Sequence, residues 1–244
     1  MKALLRWIFL LVLSLLALQL YFVLRIALMN VMDPQSTTFE RSQIWRIGSQ
    51  QHRLPWRQDW RDQAHIANSL KRAVIASEDS AFVQHHGIWW DSLEQAWQKN
   101  AKAQARAEQQ AQRRPNAATK PVKIVGGSTI TQQLAKNLFL SGERTLVRKG
   151  QEMMITLTLE ALLSKRRILE IYLNHVEWGE GVFGAEAAAQ NYFRKPAQQL
   201  DNWEAARLAV MLPRPRYFEK LPQSAYLSER AFTITARMSE VQIP

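Results

Sequence analysis

The sequence predicts a mainly α-helical body behind one N-terminal transmembrane helix. Three observations carry that reading. Trp7 to Leu24 is an uncharged run of 18 residues, WIFLLVLSLLALQLYFVL. From Ala64 onward, apolar side chains recur at three- and four-residue intervals, the spacing of one helix face. No alternation of strand-like and helix-like segments appears, which disfavours a doubly wound or barrel fold.

The membrane segment comes first. Residues 7–29 are long enough to cross a bilayer core of about 30 Å at about 1.5 Å per residue. A cleaved signal peptide is the rival reading. It would have a shorter apolar region ending in small residues, and Leu28, Met29, Asn30, Val31 and Met32 offer no such site. Lys2 and Arg6 precede the run, so the positive-inside rule puts residues 1–6 in the cytoplasm and the body outside, with Arg25 snorkelling to the outer interface.

Composition narrows the partners. Among 244 residues, 32 are Lys or Arg and 21 Asp or Glu, a formal net charge of +11. A basic body beside a membrane suits anionic headgroups or a phosphate-bearing substrate. The anchor and the lack of zinc-finger spacing argue against nucleic acid. There is no cysteine, which excludes a disulfide scaffold, an iron–sulfur site and a thiol nucleophile.

Residues 30–63 read as a linker and membrane-proximal segment, in which Asp33 to Trp60, with Pro34, Gly48 and Pro55, reads as linker, short strand or extended packing, and 64–244 as the folded domain. Ala64–Glu78 has helix spacing. Ile88 to about Gln112 is a second helical stretch, opened by Asp91 or Ser92. Trp89, Trp90 and Trp97 suit either a membrane-dipping face or the core. Between Lys99 and Lys123 stand seven basic residues against one acid, Glu108. This segment reads as a solvated helix that breaks into a loop at Pro115, or as a basic lid over an anionic substrate. Thr129 with Gln132 makes a capping-box pattern. Leu146–Leu163 is a long helix whose MMITLTLEALL part is apolar on nearly every face, and it reads as the buried central helix. Lys165–Asn174, with Lys165, Arg166, Arg167 and Glu170 on a solvated face, Ala185–Phe193, a helix opened by Asp201 with Glu204, and Ser228 to about Val241 complete the body.

Three places concentrate polar groups. In Glu78–Gly87, two adjacent acids precede two histidines. A Glu beside a second carboxylate can have its pKa raised and act as a base; the plainer reading is a helix end with His85 hydrogen-bonded in the core. In Gly126–Asn137, two glycines before a Ser/Thr-rich helix start present N–H groups as a phosphate cradle would, or simply cap a helix. No Gly-Lys-Ser/Thr ends the glycine turn, so it is not a nucleotide P-loop. In Arg148–Glu152, Arg148, Lys149 and Glu152 are an intrahelical ion pair or the wall of a pocket. No metal-ligand cluster is visible.

Together these segments resemble the bacterial peptidoglycan glycosyltransferase family, in its short monofunctional form. The family's motifs Glu-Asp-x-x-Phe-x-x-His-x-Gly, Gly-Gly-Ser-x-x-x-Gln-Gln-x-x-Lys-Asn, Arg-Lys-x-x-Glu and Lys-x-x-Ile-Leu-Glu-x-Tyr-Leu-Asn are matched in order by Glu78–Gly87, Gly126–Asn137, Arg148–Glu152 and Lys165–Asn174. The resemblance implies a lysozyme-like glycosyltransferase domain that polymerises lipid II on the outer (periplasmic) face of the bacterial inner membrane, with no penicillin-binding module before Pro244.

By the same resemblance, Glu78 is the general base and Glu152 the second essential acid. Lys136 and Arg148 contact pyrophosphate, with Lys149, Ser128, Gln132 and Asn137 as further substrate contacts. A divalent cation, Mg²⁺ or Mn²⁺, is implied as cofactor. The implied partners are lipid II, the undecaprenyl-pyrophosphate-linked glycan strand, the membrane, and cell-wall synthesis and division proteins. The alternatives are a lysozyme-like enzyme that cleaves peptidoglycan, and a non-catalytic cell-wall assembly scaffold.

Overall fold

The computed structural model describes residues 1–51, 56–113, 127–143 and 145–244. Pro55, the predicted break at Pro115, the basic residues Arg114, Lys120 and Lys123, and Gly126 lie outside the described residues, as do the side chains of Asp91 and Ser92. The predicted mainly α architecture is present. Helix α1 (Lys2–Leu28) is the apolar N-terminal helix, followed by α2 (Thr38–Gln51), α3 (Asn68–Glu78), α4 (Trp90–Arg113), α5 (Ile130–Phe139), α6 (Leu146–Leu162) and α7 (Lys165–His175). After these come α8 (Ala185–Phe193), α9 (Asn202–Met211), the single turn α10 (Pro215–Phe218) and α11 (Ala225–Arg237).

A small sheet breaks the helical run. Strand β1 (Arg57–Gln58) lies parallel to β3 (Val182–Phe183), which pairs antiparallel with β2 (Glu177–Gly179). Such short strands carry too few residues for a period of two to show in the sequence.

The helix starts obey local chemistry. Thr129 and Gln132 form the predicted capping box of α5, and Asp201 and Glu204 that of α9. Each satisfies two of the otherwise orphaned backbone donors. The core gathers between α3, α5, α6, α7 and α9 around Leu70, Leu134, Ile155, Leu159, Ile168 and Tyr172, all nearly inaccessible to water.

Four expectations need correction. First, Thr38–Gln51 is a helix, not a linker. Its start is a reciprocal box: the Glu40 N–H donates to Thr37 Oγ1 (3.0 Å), and the Thr37 N–H donates to Glu40 Oε2 (2.7 Å). Thr37-x-x-Glu40 is capping-box spacing, so the signal was present beside the more conspicuous Pro34 and Gly48.

Second, α6 is not buried all round. Glu152, Ile155, Thr156 and Leu159 face inward, but Met153, Met154, Leu157 and Leu162 are exposed. Third, the Lys165–Glu170 face is only partly solvated. Lys165 pairs with Glu160 (2.8 Å) and lies 4.5 Å over the Phe82 ring; Arg167 joins Glu170 to Asp33 and to the Met29 carbonyl. Fourth, the last two turns of α1 belong to the body. Phe22, Ile26 and Met29 are buried, the Phe22 ring meets Phe139 edge to face, and Gln19 exchanges hydrogen bonds with Gln151 of α6.

The α4 tryptophans resolve against the core: Trp90 is 62% and Trp97 77% exposed.

Candidate active site

Glu78 is the last residue of α3, and the chain leaves the helix at Asp79. From there to Gly87 a closed set of hydrogen bonds fixes the path. Asp79 Oδ2 accepts from the Ile130 N–H (3.0 Å), and its Oδ1 lies 2.8 Å from His85 Nε2. The Gly87 N–H donates to His85 Nδ1 (3.1 Å), so the ring proton sits on Nε2 and is donated to Asp79. Thr129 Oγ1 donates to the Gly87 carbonyl (2.6 Å). His85 is therefore the core-satisfied histidine of the plainer reading, and the Asp79 and Thr129 side chains stitch the first motif to the second.

Gly87 has φ +82°, and a Cβ there would come within 2.7 Å of Thr156 Cγ2 and 2.8 Å of Glu160 Cγ. Glycine is required on both counts.

Glu78 itself faces a cavity. Gln133 Nε2 donates to its Oε2 (2.9 Å) and Ser77 Oγ to its Oε1 (3.3 Å). Gln133 is held in turn, since Tyr172 Oη donates to its Oε1 (2.9 Å). Tyr172 is buried. Burial raises the Glu78 pKa above the ordinary glutamate value; the Gln133 and Ser77 hydrogen bonds oppose the rise, and the Asp79 charge adds to it least. The rise expected from the acidic pair is thus present, but loss of water is its main cause.

A second cavity of about 370 Å³ opens beside this one, with Lys136, Asn137, Arg148, Lys149 and Glu152 on its walls. Arg148 Nη1 donates to Glu152 Oε2 (2.8 Å), and Lys149 Nζ donates to Glu152 Oε1. Arg148 and Glu152 are one turn apart on α6, whose first turn is capped by Thr145. Glu152 is 4% exposed, so its charge stands inside the wall and needs both partners. Arg148 Nε is buried and makes no hydrogen bond. Lys136 reaches water, yet the surrounding walls lower its pKa by desolvation. Glu152 works against that shift, and Arg148 and Lys149 reinforce it.

All eight residues singled out in the sequence lie on these two cavities. Gln132, Lys136, Asn137, Arg148, Lys149 and Glu152 line the larger one; Glu78 lines the smaller, and Ser128 lines both. Of the two glycines behind the phosphate-cradle reading, Gly126 lies outside the described residues, and the helix cap of the plainer reading is formed at the α5 start. The N–H groups of Thr129, Ile130 and Gln132 are taken by Gln132 Oε1, Asp79 and Thr129 Oγ1. The cationic side chains on the larger cavity are those of Lys136, Arg148 and Lys149.

The residues do not fit a protein-held divalent cation. Both Glu152 oxygens face cations, and the described residues hold no cluster of three or more His, Cys, Asp or Glu side chains that could hold a metal.

Three site residues were not singled out in the sequence. Gln133 and Tyr172 sit inside matched motifs, and only the fold shows that one orients the other. Arg237 enters the Glu78 cavity from α11, far along the chain; no spacing rule reaches it.

Residues 47–239 match the family model described as transglycosylase. The chain is 51% identical over 229 residues to a biosynthetic peptidoglycan transglycosylase of Burkholderia thailandensis, covering 94% of this chain and 83% of the relative. A protein of the same description from Burkholderia pseudomallei is 50% identical over the same length. One from Herminiimonas arsenicoxydans is 47% identical over 245 residues, covering 100% of this chain and 99% of its own. With a match that takes in both cavities and every helix that frames them, the chain belongs to the transglycosylase family.

Proposed function

We propose that this protein is a membrane-anchored peptidoglycan glycosyltransferase that polymerises lipid II. The observation that carries the reading is the pairing of two unlike cavities: a desolvated carboxylate in one, and three cations around a buried acid in the other.

Glu78 acts as the general base. Its carboxylate takes the proton from the 4-hydroxyl of the acceptor GlcNAc. The oxygen forms a bond to C1 of the donor strand's MurNAc as the bond from C1 to the pyrophosphate oxygen breaks. The electron pair leaves with undecaprenyl pyrophosphate, and attack from the opposite face inverts C1 to a β-1,4 link. Gln133, held by Tyr172, aims the carboxylate and keeps it ionised more readily than burial alone would allow.

The leaving group departs as an anion, so it needs positive charge more than a proton. Lys136, Arg148 and Lys149 supply that charge, and the unpaired Arg148 Nε is a donor without an acceptor until a phosphate oxygen arrives. Glu152 keeps Arg148 and Lys149 in place. Ser128, Gln132 and Asn137 line the path between the two reacting ends. No step is routed through a divalent cation.

A peptidoglycan-cleaving enzyme has no pyrophosphate to hold, which leaves the cation cluster without a task. The N-terminal apolar helix fits a single-pass anchor, and Lys2 and Arg6 before it support the reading that the domain stands on the periplasmic side of the inner membrane.

The test uses full-length protein, labelled lipid II and product separation by gel. Muramidase-sensitive polymer is expected from the parent protein. Losses of about 10²-fold or more are expected from Glu78→Gln and Glu152→Gln. Absence of polymer across detergents, lipids and metals, with fragments released from finished wall, would overturn the reading.

A further inference from the structure

The Glu78 cavity contains one cation that the proposed reaction does not use. Arg237, the last residue of α11, lines its wall. Arg237 is exposed, but the backbone that carries it is seated. Ile234 and Met238, at 2% and 4% exposure, bracket Arg237 and seat this end of α11 and the turn after it against the body. The turn Met238–Glu240 packs on α3, the helix that ends in Glu78. The backbone that carries Arg237 is therefore fixed relative to Glu78.

The guanidinium is also uncommitted. Among the described residues it has no hydrogen-bond, ion-pair or aromatic partner. The two acids in the same cavity are engaged elsewhere: Asp79 holds His85 and the Ile130 N–H, and Glu78 is held by Gln133 and Ser77. The remaining wall is neutral, formed by the Trp89 indole and serine hydroxyls. The three cations of the larger cavity do not line this one, which shares Ser128 with it.

We propose that Arg237 binds an anionic oxygen group of the acceptor molecule and so sets acceptor affinity on the Glu78 side of the site. This rests on the polymerase reading. In that reaction both substrates are anionic, and the Lys136 cluster is occupied by the donor's pyrophosphate. The acceptor then meets a separate cation. A planar guanidinium suits the two oxygens of a carboxylate or phosphate. The acceptor offers that chemistry from two sources, its own pyrophosphate and the carboxylates of its stem peptide.

The experiment measures polymerisation by full-length protein over a range of lipid II concentrations, for the parent, Arg237→Ala and Arg237→Lys. Loss of a charge-assisted contact raises KM for lipid II by about tenfold in Arg237→Ala. The effect on KM exceeds the effect on kcat, and Arg237→Lys recovers part of it. A thermal melt matching the parent shows that the fold is kept; if Arg237→Ala melts early, Arg237→Lys and Arg237→Gln carry the comparison.

The same series with lipid II whose stem-peptide carboxylates are amidated identifies the source. A penalty that disappears assigns the peptide carboxylate, and one that persists assigns the pyrophosphate. A KM unchanged within twofold in an enzyme that polymerises normally overturns the inference alone. No polymer from the parent protein overturns the functional reading, and this inference with it.

Discussion

Glu78 and Asp79 are consecutive residues with opposite commitments. Both Asp79 oxygens are spent on the protein, one on His85 and one on the Ile130 N–H, whereas Glu78 turns to the cavity with only side-chain donors behind it. The helix end between them separates a carboxylate that builds the site from one that is free to react. Substitution divides the two roles. Asp79→Asn loses charge-assisted hydrogen bonds and is expected to lower stability by about 1.5–3 kcal/mol, read as a fall of about 2–4 °C in Tm per kcal/mol. Glu78→Gln removes activity without that fall.

The pH dependence follows from the same carboxylate. As the proposed base, Glu78 accepts a proton only when ionised, so kcat/KM is expected to rise with pH through its pKa. Burial places that pKa above the ordinary value of about 4.3. The Gln133 hydrogen bond favours the ionised form, so Gln133→Leu should move the acid limb to higher pH. A limb that moves down or stays fixed would remove Gln133 from this role. Stability is linked in the opposite sense. With the folded pKa raised, the contribution of Glu78 is present below its unfolded pKa and lost as pH rises through the folded value. The Tm of Glu78→Gln should therefore gain on the parent from acid to neutral pH.

The cation cluster makes a separate prediction. If the proposed reaction holds, Lys136→Ala removes a charge that serves the departing pyrophosphate and should cut kcat by about 10²-fold, with Lys136→Arg partly active. Steady-state kinetics on lipid II decides this. A change confined to KM would make Lys136 a uniform binding residue instead.

A buried pair beneath α2 should matter for folding. Glu40 Oε1 lies 2.7 Å from His175 Nδ1, both residues are at most 1% exposed, and Gln58 Nε2 donates to the same Glu40 oxygen (3.0 Å). Glu40→Ala strands these partners without water, at a cost of about 3–5 kcal/mol in denaturant unfolding. A cost under about 1 kcal/mol would mean that the pocket refills with solvent.

Much of this was legible because it is local. The capping boxes at Thr129 and Asp201, and the ion pair from Arg148 to Glu152, depend on residues three or four apart, and each formed as its spacing implied. The errors came where two environments share one pattern. A helix apolar on every side suits a protein core or a lipid surface, and Met153, Met154 and Leu157 face outward. The parts of the site that stayed hidden are long-range. Nothing in the spacing of Tyr172, Gln133 and Glu78 says that they form one chain of contacts, and Arg237 reaches the cavity only because α11 folds back on α3.

The docking of α1 on the body has a consequence for growth. A flexible tether would let the domain tilt and spin above the bilayer. Here Phe22, Ile26 and Met29 are packed inside the domain, and Gln19 is paired with Gln151, one residue before Glu152. Helix and groove turn together as one piece. In the proposed polymerisation, the height of the reacting carbon above the lipid and the heading of the emerging strand would then be properties of the fold, the same at every addition, and a polymer fed from such a mount would leave along a set bearing.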